Sequence, residues 1–304
     1  MTDIASLVVV PPLAITDTIL VSSTVPETDY SAWSGATTYA LDTRCIIVAT
    51  HKIYQSLQAG NLNKVPVTET AWWVEVSPTN RWKCFDTSNS TQTAQSTSAQ
   101  YVLTPGQIVD YVGLLNITAG VTFRAQLVDP TYGLVYDGTI YLSKILQDSS
   151  WYSFFIANKL SLSSATLNGI PSYPDATLTV DIVGTVDLAF GILTIGQSKV
   201  IGQGVSYGAR VSIQDYSRKE TNQWGDTILV KRAYAKRASF NVRLNSVEVD
   251  TVNDYLAQLR ATPCLWIGSN GYTSTMVFGI YENFETTIQY FDSSECSLNL
   301  LGLT

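Results

Sequence analysis

Residues 121–127 read VTFRAQL, and in this stretch apolar and polar residues alternate at every step. The apolar positions are Val121, Phe123, Ala125 and Leu127. A period of two is typical of a β-strand with one buried face, because successive side chains of a strand point to opposite sides of the sheet. Residues 178–182, LTVDI, repeat the pattern. We therefore expect the chain to be mainly β.

Turn-forming residues separate the alternating stretches at short intervals. They include the pairs Asp129-Pro130, Asp137-Gly138 and Tyr173-Pro174, and Pro and Gly are the residues that most strongly favour turns. Several short strands joined in this way are typical of an antiparallel β-sandwich. We predict a central antiparallel β-sandwich over residues 101–201.

The last third of the chain contains one helical pattern among strand-like stretches. Its spacing of three and four residues joins Val252, Tyr255, Leu256 and Leu259, as in an amphipathic helix. The sequence predicts a helix near 250–260 that begins at Asp250 and ends before Pro263, since the residue before a proline disfavours the helical region. Residues 202–304 are therefore expected to form a β-dominated α+β domain.

Part of this domain is basic. Residues 218–237 contain six Lys and Arg against Glu220 and Asp226. Such a stretch suits a contact with nucleic acid or an acidic partner, and it equally suits a solvated strand face or a contact between subunits. Because the whole chain has 18 basic and 25 acidic residues and a net charge of −7, we expect no nucleic-acid partner.

The overall composition points to assembly. Only 14% of the 304 residues are charged and 11% are aromatic, whereas about 25% of a typical soluble domain is charged. Interface cores are depleted in charge and enriched in aromatic residues. We therefore expect residues 202–304 to be an assembly domain and the chain to bind copies of itself in a closed, symmetric arrangement.

The residue types that carry most enzyme chemistry are scarce. His51 is the only histidine, and the four cysteines, Cys45, Cys84, Cys264 and Cys296, lie far apart. Zinc sites and catalytic triads need closely placed His or Cys ligands or partners. We predict no metal, no cofactor, no catalytic residue and no enzyme activity. Neither a secretory leader nor an apolar stretch of about 18 residues is present, so we expect synthesis in a cytoplasm and no membrane insertion.

A polar stretch divides the N-terminal part from the rest. Residues 87–99 read TSNSTQTAQSTSA and include no charged, aromatic or large aliphatic residue. Such a composition does not bury a core and is typical of an extended linker. We predict a Ser/Thr-rich linker over 87–100 and, at the start of the chain, an N-terminal arm over 1–29.

Between the arm and the linker lies a small aromatic-rich module, residues 30–86. So short a segment builds its core mainly from aromatic side chains, while exposed aromatic faces beside polar groups suit the apolar faces of sugar rings. Both uses remain open for the candidate residues Trp33, Tyr39, Tyr54, Trp72, Trp73 and Trp82. Trp72 and Trp73 are adjacent, so on a strand one of them faces the core and the other faces solvent.

The order of motifs in this module resembles a known family. It comprises Ala32-Trp33, Thr38-Tyr39, a short strand over 44–48, the Lys52 to Tyr54 strand and a closing Trp72-Trp73. This order is similar to that of the chitin- and cellulose-binding modules attached to chitinases. With Thr50-His51 before the tyrosine strand and Trp82 after it, the module resembles the version carried by virion proteins of tailed bacteriophages. The resemblance implies a small β module that binds carbohydrate.

Residues 103–304 also resemble bacteriophage tail proteins, through stretches that include Asn222 to Gly225, Val230 to Arg237 and Leu259 to Gly268. The resemblance implies a structural component of a tail, baseplate or tail tip. Such a component would be located in the virion, assembled in the host cytoplasm, and would contact itself, other tail proteins and a host-surface glycan. Two alternatives remain open: a stand-alone polysaccharide-binding protein, and a glycoside hydrolase with an appended binding module.

Overall fold

The computed structural model describes residues 6–145 and 159–303, except residues 207, 222, 270–271 and 289–290. The chain is mainly β, with several antiparallel sheets, and the described part contains one α-helix. The predicted fold class is confirmed. The first two strands are β1 (Leu7–Val10) and β2 (Leu20–Ser23). Short 3-10 helices are Val48–Thr50, Lys83–Phe85, Ser246–Glu248 and Thr273–Thr275.

The module of residues 30–86 contains two small sheets. Its strands are β3 (Thr38–Tyr39), β4 (Arg44–Ile47), β5 (Lys52–Ser56), β6 (Asn61–Leu62) and β7 (Trp73–Pro78). β5 is the central strand of a three-stranded sheet with β4 and β7, and β3 pairs with β6. The module's core is aromatic because strands of two to six residues supply few aliphatic side chains.

The central domain is a β-sandwich. Its strands are β8 (Thr93–Gln95), β9 (Ser98–Leu103), β10 (Tyr111–Leu115), β11 (Thr118–Asp129), β12 (Gly133–Tyr141), β13 (Ser143–Ile145), β14 (Lys159–Ser161), β15 (Ser164–Asn168), β16 (Thr177–Phe190) and β17 (Ile192–Gly196). A six-stranded sheet of order β12-β11-β16-β9-β2, with β8 beside β16, faces the three-stranded sheet β15-β10-β17 across one core.

The alternation predicted from sequence sets the faces of this sandwich. Phe123, Ala125 and Leu127 of β11 are buried, as are Leu178, Val180 and Ile182 of β16. Val121 departs from the prediction and is 41% exposed, because the register of β11 against β16 shifts between residues 118 and 122. The polar residues between the buried positions face outward.

The C-terminal domain consists of one large sheet, a separate two-stranded hairpin and a helix that packs against the large sheet. Its elements are β18 (Lys199–Ile201), β19 (Gly204–Val205), β20 (Arg210–Asp215), β21 (Arg218–Thr221), β22 (Thr227–Val230), β23 (Tyr234–Asn245), α1 (Val249–Gln258), β24 (Cys264–Ile267), β25 (Met276–Thr287) and β26 (Ser293–Gly302). Helix α1 lies within two residues of its predicted bounds, and Leu256 packs in the same core as Trp266 and Phe240.

The segment predicted as an N-terminal arm over 1–29 contributes strands to two different sheets. β1 lies inside the eight-stranded C-terminal sheet, of order β18-β1-β24-β25-β26-β23-β19 with β20 beside β23. Leu7, Val9 and Val10 are fully buried. β2 joins the other domain by pairing with β9. The apolar run of this segment supplies β1 to the C-terminal sheet, and the residues after it supply β2 to the sandwich. The segment therefore connects the two domains.

The predicted linker over 87–100 is wrong. β8 pairs with β16, and β9 pairs with both β16 and β2. Backbone hydrogen bonds hold this polar stretch, and Thr93 and Ala99 are buried. The sandwich thus includes β2, β8 and the start of β9 before residue 101, and β18 places residues 199–201 in the C-terminal sheet. The module is an insertion between β2 and β8.

Candidate functional site

Three of the six candidate aromatic residues form the core of the module. Tyr39, Tyr54 and Trp73 are between 2% and 6% exposed. The rings of Tyr39 and Trp73 meet edge to face, with centroids 5.0 Å apart, a favoured geometry for aromatic pairs. Trp73 Nε1 donates to the carbonyl of Lys64 at 2.9 Å. Their faces are covered by protein, so these three residues offer no platform for a sugar ring.

Trp33 and Trp72 pack on the outside of this core and are half-buried. The ammonium of Lys64 lies 5.6 Å from the ring centroid of Trp72, at cation–π distance. Trp33 Nε1 is buried and has no hydrogen-bond partner in the described structure. Of the adjacent pair, Trp73 begins β7 and is buried in the core, whereas Trp72 precedes the strand in a turn, packs against the core and is half-buried. The outer surface of the module retains Trp72 as its candidate for stacking.

Trp82 joins the module to the sandwich. Its ring stacks on His51, with centroids 4.2 Å apart and an interplanar angle of 20°. From Trp82 a chain of edge-to-face contacts runs through Phe85 and Tyr101 to Phe190 of the sandwich core. The role of Trp82 is therefore a structural one, at the boundary between two domains.

His51 is the centre of an ionic cluster that the sequence did not reveal. His51 Nδ1 lies 2.7 Å from Glu27 Oε1, and His51 Nε2 lies 2.6 Å from Asp17 Oδ1. Both carboxylates lie within hydrogen-bond distance of the ring, one at each ring nitrogen. Thr79 and Arg81 also contact Glu27. Asp17 and Glu27 belong to the N-terminal segment, so the cluster fastens that segment to the module.

Further hydrogen bonds cross the boundary between module and sandwich. Asn80 Nδ2 donates to the carbonyl of Ala94, and Asn80 Oδ1 accepts from the Ala94 amide. Thr93 Oγ1 donates to the Asn80 carbonyl, and Tyr101 donates to the carbonyl of Arg81. A flexibly tethered module would lack such contacts. The structure instead holds the module on the sandwich in one orientation.

The cysteines do not form a reactive centre. All four are buried and free. Burial raises the pKa of Cys45 to about 11 and those of Cys84 and Cys264 to about 12, which keeps them as thiols at neutral pH. Among the residues that the structure describes, no three His, Cys, Asp or Glu side chains are grouped as a metal site would require. No helix in the described ranges has the length and apolar character to cross a membrane.

Many exposed apolar side chains lie in one segment of the C-terminal domain, residues 210–234, which comprises β20, the hairpin β21–β22 and the segments around them. We call this segment the arm; it is distinct from the N-terminal arm predicted over 1–29. Ile213, Trp224 and Leu229 are 65%, 80% and 68% exposed. Val211, Tyr216, Ile228, Val230 and Tyr234 are also exposed. Soluble monomers rarely expose apolar side chains in such a concentration, which is typical of an interaction surface.

The arm also differs from the rest of the chain in charge. The arm contains five Lys and Arg and three Asp and Glu, which gives it a net charge of +2. Because the whole chain has a net charge of −7, the residues outside the arm have a net charge of −9. Opposite charges on two surfaces favour their encounter. A surface that is apolar and basic fits a partner that is apolar and acidic.

Comparison with models of known protein families, with curated proteins and with solved structures gave no match for this chain.

Proposed function

We propose that this protein is a structural component of a bacteriophage tail, in the baseplate or tail tip, where it assembles symmetrically with copies of itself and with other tail proteins. The module, mounted rigidly on the sandwich, is displayed for adhesion to the host surface. The observation that carries the proposal is the exposed, basic arm, whose side chains at Ile213, Trp224 and Leu229 face solvent in the single chain.

The partner that best fits the arm is a second copy of this chain. The part of the chain outside the arm has a net negative charge. A contact between the arm of one copy and the acidic part of the next copy is a head-to-tail contact, and such contacts can close into a ring. The low fraction of charged residues lowers the electrostatic repulsion between neighbouring copies.

The assembly is tested by the double substitution Ile213→Ser and Leu229→Ser. Both residues are about two-thirds exposed, and burying each in an interface contributes about 1–2 kcal/mol. Loss of both weakens each contact by about 2–4 kcal/mol, or roughly 30- to 1,000-fold. The monomer itself keeps its stability, because the two side chains have few contacts within the chain.

Light scattering coupled to size-exclusion chromatography measures the effect. The wild-type chain is expected to elute as an oligomer and the double variant as a monomer. Val247→Ser is the matched control, since Val247 is 92% exposed but lies outside the arm; this variant is expected to remain oligomeric. A wild-type chain that stays monomeric at the highest accessible concentration contradicts the proposal.

The adhesive role of the module rests on Trp72, the half-buried member of the tryptophan pair. Pull-down on chitin and on lipopolysaccharide with Trp72→Ala tests it. This variant leaves the buried Trp73 and Tyr39 contact intact, so the fold is preserved. Binding by the wild type and its loss in the variant support adhesion through the module, and equal binding by both removes that part of the proposal.

A further inference from the structure

The outer face of the sandwich carries a polar groove outside the module. Its volume is about 440 Å³, within the range of roughly 300–1,000 Å³ that is common for small-molecule sites. It crosses strands β9, β16, β11 and β12, and the segment after β2 borders it through Thr24. The lining residues are mostly Ser, Thr, Gln, Asp and Arg.

Strand register places the polar side chains in rows across the groove. In the middle row Gln100 is opposite Asp181, Asp181 is opposite Arg124, and Arg124 is opposite Thr139. The row on one side contains Ser98, Val183, Thr122 and Tyr141, and the row on the other side contains Val102, Thr179, Gln126 and Asp137. Neighbouring strands lie about 4.8 Å apart, so the middle row, in which all four residues are polar, presents one polar group about every 5 Å.

The hydrogen bonds within the groove hold its charged side chains in place. Arg124 Nε and Nη2 donate to the two carboxylate oxygens of Asp137 at 2.8 and 2.6 Å. Gln126 Nε2 donates to the same carboxylate at 3.3 Å, and Gln100 Nε2 donates to Asp181 Oδ1 at 2.7 Å. A bidentate Arg–carboxylate pair is geometrically defined. The side chains are thus oriented before any ligand arrives.

Two polar groups in the middle row remain available. Arg124 Nη1 donates to no acceptor, and Asp181 Oδ2 accepts from no donor, among the residues that the structure describes. They belong to adjacent strands and are directly opposite in register. A donor beside an acceptor at this spacing complements two adjacent hydroxyl groups, because each hydroxyl both donates and accepts.

An exposed aromatic side chain lies beside the groove, paired in register with its lining residue Thr122. Tyr141, on the edge strand β12, is 71% exposed and follows Thr122 in the outer row. An exposed ring beside ordered polar groups offers an apolar face for the carbon–hydrogen side of a sugar ring.

From these contacts we propose that the groove is a saccharide-binding site for a neutral sugar chain, with Arg124 and Asp181 binding vicinal hydroxyls and Tyr141 stacking on a ring. The groove lining contains one basic and one acidic side chain, Arg124 and Asp181, and the carboxylate of Asp137 lies beside it, paired with Arg124. On a chain of net charge −7, this arrangement disfavours acidic sugars. The site is separate from the module and does not depend on assembly through the arm.

The test uses the full chain and an array of neutral and acidic oligosaccharides from bacterial surfaces, followed by titration calorimetry with the neutral oligosaccharide that binds most strongly. Arg124→Gln and Asp181→Asn remove one charge each at nearly constant volume, and both are expected to weaken binding at least tenfold. Arg237→Gln is the matched control. Arg237 pairs with Glu282 on the C-terminal sheet and is as exposed as Arg124, 42% against 41%, so this variant is expected to bind like the wild type.

Four results overturn the proposal: no neutral oligosaccharide binds, only acidic ones bind, binding survives both groove substitutions, or binding is lost in Trp72→Ala while the groove variants retain it. Circular dichroism and thermal melting of each variant separate loss of binding from loss of fold. The oligomeric state, measured on the same samples, distinguishes failure of this site from failure of the assembly proposed above.

Discussion

Substitution Trp82→Ala tests whether the module is fixed to the sandwich or tethered to it. Trp82 stacks on His51 and meets Phe85 edge to face. A fully buried Trp→Ala change costs about 3–5 kcal/mol, and Trp82 is half-buried, so the burial term is about 1.5–2.5 kcal/mol. Loss of the stacked pair adds roughly 0.5–1.5 kcal/mol. We expect a total destabilisation of about 2–4 kcal/mol.

The measurement is hydrogen exchange combined with urea unfolding. The variant is expected to lose amide protection in residues 79–86 and 93–101, where module and sandwich meet, while β5 stays protected because the core around Trp73 is untouched. Trp72→Ala is the control, since Trp72 is also half-buried in the module but packs on the module's own core. Unchanged exchange at the boundary and an unfolding free energy within about 0.5 kcal/mol of wild type would refute the rigid mounting.

Three further predictions concern the core and its ionisable groups. Val9→Asp places an unpaired carboxylate in the middle of the C-terminal sheet and is expected to lower the free energy of unfolding, measured by heat or urea, by about 3–5 kcal/mol. Val200→Asp is the control: Val200 lies on the neighbouring strand and is 56% exposed, so this change is expected to cost less than about 1 kcal/mol. Equal effects of the two changes would contradict the placement of β1. Maleimide at pH 7 is expected to label none of the four cysteines in the native chain and all four in urea, because burial raises their pKa values; labelling of Cys84 in the folded chain would show that it is accessible. Burial raises the pKa of Asp86 above its ordinary 3.8. The folded chain therefore holds this proton more tightly than the unfolded chain does, and the contribution of Asp86 to stability falls as pH rises through this range. Titration of the Asp86 carboxyl by NMR is expected to give a pKa above 3.8 in the folded chain, and a value below 3.8 would be the contrary result.

Local patterns predicted the strands of the sandwich and helix α1, because both depend on spacing that a short stretch of sequence contains. The same reasoning correctly assigned one tryptophan of the pair at 72 and 73 to the core. Each of these features depends on neighbours within one turn or one strand, which is the range over which periodicity carries information.

Long-range pairing could not be predicted in this way. β1 pairs with β24, more than 250 residues along the chain, and no feature of either strand identifies the other. The stretch at 87–99 looks like a linker by composition, yet backbone hydrogen bonds, which do not depend on side-chain polarity, place part of it in a sheet.

The polar groove and the arm also depend on long-range pairing that local sequence patterns do not contain. The polar groove exists only when four strands are in register, so the sequence shows Arg124 and Asp181 as ordinary outward-facing residues. The cluster around His51 joins segments more than 20 residues apart. The sequence shows that residues 218–237 are basic, but it does not show that most of them belong to a segment with exposed apolar side chains.

Electron microscopy of the purified full chain tests the central claim, assembly through the arm, most directly. Closed rings are expected for the wild type and for Val247→Ser, and single particles for the double variant at Ile213 and Leu229. Monodisperse single particles of the wild type at every concentration, with no association with any tail protein, would contradict it.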